Sequence, residues 1–361
     1  MAEGSGSLYD PRRHVRILSE RVRDVSSVDY PGHFPGEDHS WDLAKFTENF
    51  HLEVQRLSQR SVEFDLVGVD ASIANAFRRI MIAEVPTVAI ESVYAWDNTS
   101  IIVDEVLSQR IGLIPIHVDP RRIDVKSEGD ESTDRNTLVF NLDVRCSRNT
   151  KAKRGATADS ELYINHEVLS SHLQWVPQGE QAEVFEADPP RATNPNIVLA
   201  KLRPGQAVKM ELHAVRGVGK DHAKFSPVAT ASYRLLPLVV LNPDKPVPKE
   251  SAEKFAACFA PGVIHVDKRS GKVRVEEKNL RKDTVSREVL RHPEFEGCVE
   301  LKRIRDFFLF HVESESAYPP EDLLPEAIQI LRGKIAAIRQ ATEALLDEDQ
   351  TMDSQDAMQT D

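Results

Sequence analysis

The feature that most constrains this chain is a repeat of apolar residues close to its C-terminus. Pro319 and Pro320 open a segment in which apolar residues recur in steps of four, three, four, three and seven, at Leu324, Ile328, Leu331, Ile335, Ile338 and Leu345. Steps of three and four place side chains on one face of an α-helix. The spacing therefore predicts a helix over about residues 321–346 with a narrow apolar face, here named the heptad stripe.

A stripe of this kind has two structural explanations. It can pack on a sheet of its own chain, or it can form a seam with a helix of a second chain. A narrow stripe that continues over about 25 residues favours the second explanation, because helices that cover their own core usually have a broader apolar face. The periodicity alone does not separate the two.

Length and composition indicate a globular protein of a reducing compartment. The chain has 361 residues, of which 40% are hydrophobic, enough for two or three packed domains. No run of about 18 apolar residues is present, and the N-terminus has no basic segment followed by an apolar one, so we expect neither a membrane span nor a signal peptide. Cys146, Cys258 and Cys298 are widely separated, which argues against a disulfide framework.

The charge of the chain argues against a free-standing nucleic-acid binder. The formal net charge is −12, whereas nucleic-acid-binding proteins usually have a basic excess. Part of the acidity lies in residues 347–361, which include six acidic residues and no lysine or arginine. This composition predicts a disordered tail.

A hairpin followed by a helix is predicted upstream. Apolar residues alternate over 50–54 and again over 62–66, with the turn LSQR between them, as in a β-hairpin. Asp70 then precedes an amphipathic segment that stops before Pro86, as expected for a capped helix. The apolar face of that helix consists of Ile73, Phe77, Ile80 and Met81.

The region 87–227 differs from the segments around it in its long irregular connections. Three long polar connections interrupt it, at 124–136, 148–160 and 186–196. Because loops commonly carry recognition, we interpret these connections as contact loops.

The stretch GVGKDHAKFSPV, residues 217–228, suggests a phosphate-binding loop. A Walker-type loop needs Ser or Thr after its Gly-Lys pair, but Gly219 and Lys220 are followed by Asp221, and Ala214 stands where the first glycine belongs. An aspartate would repel phosphate and would not hold magnesium. We therefore interpret the stretch as a glycine turn that follows a strand over 208–215.

No other constellation predicts chemistry. The cysteines form no C-x-x-C pair and the histidines no H-x-x-x-H motif, so no metal site is expected. No G-x-S-x-G nucleophile motif occurs, and Cys258 lies among apolar neighbours like a buried small residue. We expect no catalytic residue, no cofactor and no metal.

Three long segments, taken together, resemble the alpha-like assembly subunits of RNA polymerase. The first is NAFRRIMIAEVPTVAIESV followed by NTSIIVDEVLSQRIGLIPI, the second is GKDHAKFSPVATASYRL, and the third is FFLFHVESESAYPPEDLLPEAIQILRGKI. The resemblance implies an α+β fold in which an inserted, mainly β domain splits a dimerisation domain. Its implied segments are an N-terminal extension at 1–46, dimerisation parts at 47–86 and 228–346, the insert at 87–227, and the acidic tail at 347–361.

Within this family, the region 243–306 points to one branch. Its segments FAPGVIHVD and DTVSREVLRHPEF are similar to the archaeal type and to the subunit shared by eukaryotic RNA polymerases I and III. The polymerase II type has a zinc-binding cysteine cluster in its insert, where this chain has only Cys146. Some archaeal members hold an iron–sulfur cluster near the position of Cys258, which stands alone here. The resemblance therefore implies the subunit shared by polymerases I and III, with the polymerase II or archaeal subunit as the alternative.

The resemblance also implies a role and partners. The chain would be a non-catalytic nuclear subunit, in nucleolus and nucleoplasm, that pairs with a small alpha-like subunit through Ile73, Phe77, Ile80, Leu324, Ile328, Leu331, Ile335 and Ile338. Its contacts with the largest and second-largest subunits would involve Arg78, Arg79, Glu105, Arg110, Lys220, His222 and Lys224. Small zinc-binding common subunits would be further partners, and nucleic acid would be contacted only indirectly. A homodimeric assembly factor and a nucleotide-dependent enzyme using residues 217–224 are the competing hypotheses.

Overall fold

The computed structural model describes residues 14–25, 36, 38 and 40–358, with side chains up to residue 346. The rest of the predicted N-terminal extension and residues 359–361 lie outside this part of the chain. The described residues form two compact units. The first consists of the described parts of Met1–Leu57 together with Val62–Ala76 and Ser232–His311, and the second of Ser58–Ser61, Phe77–Ala231 and Val312–Asp361 as far as residue 358.

Helices and strands are both abundant, and the predicted α+β class is confirmed. The helices are α1 (Leu43–Asn49), α2 (Ala71–Ala83), α3 (Asp104–Gly112), α4 (Asp159–Leu162), α5 (Gln181–Val184), α6 (Ala252–Ala257) and α7 (Leu323–Met358). The strands of the first half are β1 (His14–Ile17), β2 (Val22–Arg23), β3 (His51–Leu57), β4 (Ser61–Val67), β5 (Pro86–Asn98), β6 (Ile116–His117), β7 (Leu138–Arg145), β8 (Ser147–Arg148), β9 (Tyr163–Ile164) and β10 (Glu167–Leu169). The strands of the second half are β11 (Gln174–Val176), β12 (Arg191–Ala192), β13 (Val198–Lys201), β14 (Ala207–Val218), β15 (Val228–Leu241), β16 (Ile264–Val266), β17 (Val273–Val275) and β18 (Val299–Ser314).

The first unit is built on a sheet in the order β2-β1-β18-β4-β3, with β15 also paired to β18. Antiparallel pairing of β3 with β4, in which Val54 lies opposite Phe64, confirms the predicted hairpin. The inward side chains of β4 are buried, and the Phe64 ring stacks on that of Phe310 at 4.9 Å between centroids. Strand β1 adds the N-terminal region to the same sheet by pairing with β18.

An ionic network lies inside the first unit. The Arg281 guanidinium pairs with the buried Asp65 carboxylate on β4, and Arg234 on β15 donates to the carbonyl oxygens of Asp283 and Arg281. Burial raises the pKa of the Asp65 carboxyl despite the opposing effect of Arg281. These contacts link the 281–283 segment to strands β4 and β15. Removing one partner would destabilise the unit, because it would leave a buried charge unpaired.

The second unit is built on a sheet in the order β11-β7-β14-β5. Strand β7 alternates buried and outward residues, as expected for a sheet with one face on the core, and β14 confirms the strand predicted over 208–215. The core under this sheet includes Leu107 and Ile111 of α3, Phe140 of β7 and Leu212 of β14. The unit is therefore mainly β with α3 packed on one side.

The helix predicted after Asp70 is confirmed as α2. The Asp70 carboxylate accepts a hydrogen bond from the Ser72 backbone N–H at 2.8 Å, which satisfies one of the free donors at a helix start. Hydrogen bonds that the Asp70 carboxylate accepts from Ser72, from its side chain and from its backbone N–H, lower the pKa of Asp70. The helix ends at Ala83, and Pro86 begins β5.

Helix α7 is longer than predicted. It extends to Met358, so residues 347–358, predicted to be disordered, are helical. An established helix can continue through a polar sequence because nucleation is already complete, which composition alone does not reveal. By contacts, α7 belongs to the unit that contains Phe77–Ala231 rather than to the unit with Ser232–His311, so the compact units divide the chain differently from the domains implied by the resemblance. The domain assignment itself stays a prediction.

Candidate subunit interface

The heptad stripe is covered by its own chain only at its start. Leu324 is 8% exposed, whereas Ile328, Ile335 and Ile338 are 39%, 58% and 68% exposed. Leu331 is half-buried. The first turns of α7 therefore pack on this chain, and the remainder presents a row of apolar side chains to solvent.

Two ion pairs hold α7 in place within the second unit. The Arg121 guanidinium lies 3.3 Å from the Glu326 carboxylate near the start of the helix. Further along, the Lys334 ammonium pairs with the carboxylate of Glu84, just beyond the end of α2. Neither pair involves a residue of the stripe, and Ile335 and Ile338 stay exposed. An exposed apolar row on a fixed helix is typical of a protein-binding surface.

The predicted interface residues of α2 differ in exposure. Ile73 is 41% exposed and Phe77 is half-buried, but Ile80 is only 4% exposed. Ile80 and Leu324 thus belong to the chain's interior and cannot offer much surface to a partner. Helical spacing identifies the apolar face but does not show how far along that face the chain's own core extends.

The predicted large-subunit residues Glu105 and Arg110 lie on α3. Glu105 is exposed in the first turn, while the Arg110 guanidinium donates to the Val198 carbonyl oxygen at 2.7 Å. Arg110 is therefore engaged within the chain and fastens α3 to β13. Glu105 is left on the outer side of the helix.

Sequence reasoning missed an apolar patch around Glu105. Six large side chains that are about half to almost fully exposed occupy the outer half of β5, the segment after it and α3 itself: Tyr94, Trp96, Ile101, Val103, Val106 and Leu113. We name this set the β5–α3 patch. Tyr94 lies against the His213 ring, at 4.9 Å between centroids. Large apolar side chains left in water are typical of a surface that another protein covers. The signal that could have revealed it is an apolar segment around α3 in which only Leu107 and Ile111 are needed for the core.

Gly217 and Gly219 lie so close to neighbouring atoms that a larger residue would not fit at either position. A Cβ on Gly217 would lie 2.8 Å from the Phe225 ring, and one on Gly219 would lie 2.3 Å from the Ile82 carbonyl oxygen. Neither glycine has a positive φ. Gly219 lies in a turn directly after β14, as predicted, whereas Gly217 still belongs to the strand. The loop packs against the end of α2, where the Lys220 backbone N–H donates to the Ala83 carbonyl oxygen at 2.8 Å.

Lys224 is engaged within its own chain, and its predicted contact with a large subunit stays a prediction. Its side chain is 11% exposed and pairs with Glu91. Its ammonium also donates to the Ile90 carbonyl oxygen at 2.8 Å. The His222 Nδ1 accepts the Lys224 backbone N–H at 3.1 Å and so shapes the loop.

The other predicted basic contacts differ in access. Lys220, His222 and Arg79 are exposed, and Arg78 is half-buried. These exposed side chains are able to reach a partner.

The described residues contain no group of three or more His, Cys, Asp or Glu that could hold a metal ion. The thiols of Cys146, Cys258 and Cys298 are buried, and burial raises the pKa of Cys146 and Cys258, so these two remain protonated at neutral pH. Among the helices described, none combines the length and apolar character that crossing a membrane requires.

An apolar helical stripe and a second apolar patch, both exposed on fixed elements, define a protein that assembles with other proteins. Residues 63–335 match the RNA polymerase Rpb3/Rpb11 dimerisation domain, and the chain belongs to this family.

Relatives cover almost the whole chain. The mouse protein is 49% identical over 329 residues, which are 91% of this chain and 94% of that protein, and the human protein is 49% identical over 331 residues, 91% and 95%. The Saccharomyces cerevisiae protein is 48% identical over 324 residues, 89% and 96%. All three are named DNA-directed RNA polymerases I and III subunit RPAC1. The polymerase II subunit rpb3 of Dictyostelium discoideum is more distant, at 30% over 316 residues, 85% and 100%.

Proposed function

We propose that this chain is a non-catalytic assembly subunit of DNA-directed RNA polymerases I and III. Relatives with that name are 48–49% identical over most of the chain, whereas a polymerase II counterpart is only 30% identical. This difference favours the shared subunit over the alternative. The chain would act in the nucleus, in nucleolus and nucleoplasm, within complexes that synthesise rRNA, tRNA and 5S RNA.

The single observation that carries the proposal is the exposed heptad stripe on α7. Each isoleucine or leucine left in water costs about 1.5–3 kcal/mol relative to burial. A second helix would bury Ile328, Leu331, Ile335 and Ile338 together, which supports pairing with a small alpha-like subunit. The ion pair between Lys334 and Glu84 places the end of α2 beside α7, so a partner helix on the stripe would also be close to the C-terminal half of α2.

The β5–α3 patch supports a second contact, with the large catalytic subunits. Its apolar side chains would supply the buried centre of such an interface, and Glu105 would lie at its rim. Arg79, Lys220 and His222 remain available for the second-largest subunit. Arg110 and Lys224 would act indirectly, by holding α3 and β5 in position. Small zinc-binding common subunits complete the set of proposed partners.

Size-exclusion chromatography with light scattering tests the pairing. The full chain is co-expressed with a small alpha-like subunit, and Leu331→Asp/Ile335→Asp is compared with Ala336→Asp/Gln340→Asp, which adds the same two charges at the same spacing on the opposite face of α7. We expect a one-to-one complex for the wild type and the control variant, and its loss for the stripe variant, because each charge would have to enter an apolar seam.

Two results would contradict this proposal. One is co-purification of the stripe variant at wild-type yield. The other is a stable dimer of the chain alone that excludes the small subunit, which would favour the homodimeric hypothesis. Binding of ATP or GTP by the chain alone at micromolar concentration would revive the nucleotide-dependent enzyme.

A further inference from the structure

The second unit carries an exposed basic surface that none of the proposed subunit contacts uses. It lies on residues 145–164, here named the basic hairpin, which comprise the last residue of β7, strands β8 and β9, and the segment between these two strands. Residues 145–161 include only two acidic side chains, in a chain of net charge −12. The five basic side chains are all exposed: Arg145, Arg148, Lys151, Lys153 and Arg154.

The hairpin is fixed to the sheet at its base. Cys146 is 1% exposed, its backbone N–H donates to the Gln206 carbonyl oxygen at 2.9 Å, and its carbonyl accepts from the Gly205 N–H at 3.0 Å. Strand β8 then pairs with β9, with Arg148 opposite Tyr163. The charges therefore project from a defined position.

Asn149 organises the loop that carries the lysines. Its side-chain amide donates to the Glu161 carbonyl oxygen at 2.9 Å, and its side-chain oxygen accepts the Lys151 N–H at 3.0 Å. Such a turn fixes the backbone locally. Lys151, Lys153 and Arg154 follow this turn within four residues of one another.

The acidic residues nearby leave most of these charges unbalanced. Glu161 is exposed and contributes one negative charge against the five positive ones. Asp159 pairs at 2.9 Å with Arg203, which also lies over the Tyr163 ring at 5.5 Å. Glu167 pairs with Lys201 at 3.3 Å. Within the part of the chain that the structure describes, none of the five hairpin side chains forms an ion pair. Like charges held together without counter-charges attract an anionic partner.

We propose that the basic hairpin binds a short acidic segment of a partner protein. A polynucleotide fits less well, because nucleic-acid surfaces usually combine a basic domain with exposed aromatic rings for stacking. Here the chain is strongly acidic overall, and Arg203 already covers the Tyr163 ring. A few consecutive carboxylates match the small footprint of the loop and would gain charge-assisted hydrogen bonds from its lysine and arginine side chains.

Fluorescence anisotropy with labelled octaglutamate tests this inference, using the full-length chain together with its small partner subunit if the two co-purify. Lys151→Glu/Lys153→Glu/Arg154→Glu is compared with Lys268→Glu/Arg269→Glu/Lys272→Glu. The control changes the same number of charges on the exposed β16–β17 hairpin. We expect the first variant to weaken binding at low salt by about tenfold or more, and the control by less than about twofold.

Three outcomes would overturn the inference. Octaglutamate could fail to bind the wild type, or both variants could weaken it equally, which would indicate a general charge effect. Alternatively, a single-stranded RNA of similar length could bind more tightly than octaglutamate and lose affinity in the hairpin variant. That result would identify the surface as a nucleic-acid site.

Discussion

A side-chain carbon at Gly219 would lie 2.3 Å from the carbonyl oxygen of Ile82, at the end of α2. No real Cβ contact is this short, and the obstacle is backbone rather than a movable side chain. The glycine therefore allows the 217–228 loop to approach the helix, where the Lys220 N–H reaches the Ala83 carbonyl oxygen. The spacing that suggests a phosphate loop reflects packing between two parts of one unit.

Gly219→Ala is expected to destabilise the chain by about 1–3 kcal/mol, because the loop or the end of α2 must shift. Gly333→Ala is the matched control. Beyond the neighbouring residues and the helix's own backbone, no atom lies within 4 Å of the Cβ it would add on α7, so it should stabilise the helix by up to about 1 kcal/mol. Urea titration gives the free energy of unfolding of both variants. Equal changes in the two variants would show that the close contact of Gly219 with Ile82 does not require a glycine.

Ile335 and Leu324 lie on the same stripe but should affect different equilibria. Ile335→Ala should leave the free energy of unfolding of the isolated chain within about 0.5 kcal/mol of wild type, because the side chain is 58% exposed. It should weaken association with the small subunit by about 1–2 kcal/mol.

Leu324→Ala should instead lower the free energy of unfolding by about 2–5 kcal/mol, because it leaves a cavity in the chain's own core. Urea titration and isothermal calorimetry separate the two effects. If both variants lower the free energy of unfolding, or if both weaken only the association, the stripe is not divided into a part covered by its own chain and a part left for the partner.

Tyr318 should make the chain sensitive to alkaline pH. Burial raises the pKa of its phenol to about 12, while an unfolded tyrosine titrates near 10. The unfolded state therefore loses its proton first, and the contribution of Tyr318 to stability falls as the pH rises from about 10 towards 12. Tyr318→Phe should flatten this part of the stability curve.

The same substitution should also stabilise the chain at neutral pH, by about 1 kcal/mol. The Tyr318 hydroxyl is buried without a hydrogen-bond partner among the described residues, and removing an unsatisfied polar group recovers its desolvation cost. Thermal unfolding at neutral pH and at pH about 11 tests both statements. A wild-type-like alkaline slope in Tyr318→Phe would show that other groups control it.

The contribution of Asp70 to the free energy of unfolding should decrease at acid pH. Hydrogen bonds from Ser72 lower the pKa of its carboxyl in the folded chain. Its contribution is therefore present above the pKa of the unfolded carboxyl, about 3.9, and is lost as the pH falls through the lower folded pKa.

Asp70→Ala should cost about 1 kcal/mol at neutral pH and less below about pH 4. Asp70→Asn retains a neutral acceptor at the helix start, so its stability should show a weaker acid dependence at this position. Urea titrations across the acid range measure this difference. An Asp70→Ala deficit of constant size from neutral to acid pH would be inconsistent with the assignment.

Local sequence patterns predicted the elements of the proposed interface. The spacing from Leu324 to Leu345 predicted α7, alternation predicted the β3–β4 hairpin, and Asp70 marked the start of α2. Each of these depends on residues a few positions apart, whose relative directions are set by backbone geometry. The family followed from long segments in a recognisable order.

What the sequence by itself determined is thus which elements form and which face of each is apolar. Only the tertiary structure decided which apolar or charged side chains are left for a partner. It placed Ile80 and Leu324 in the interior, engaged Lys224 with Ile90 and Glu91, and left Trp96 and the basic hairpin exposed. The physical reason is that burial and charge pairing depend on residues far apart in the chain, such as Lys224 and Ile90, which meet only after folding.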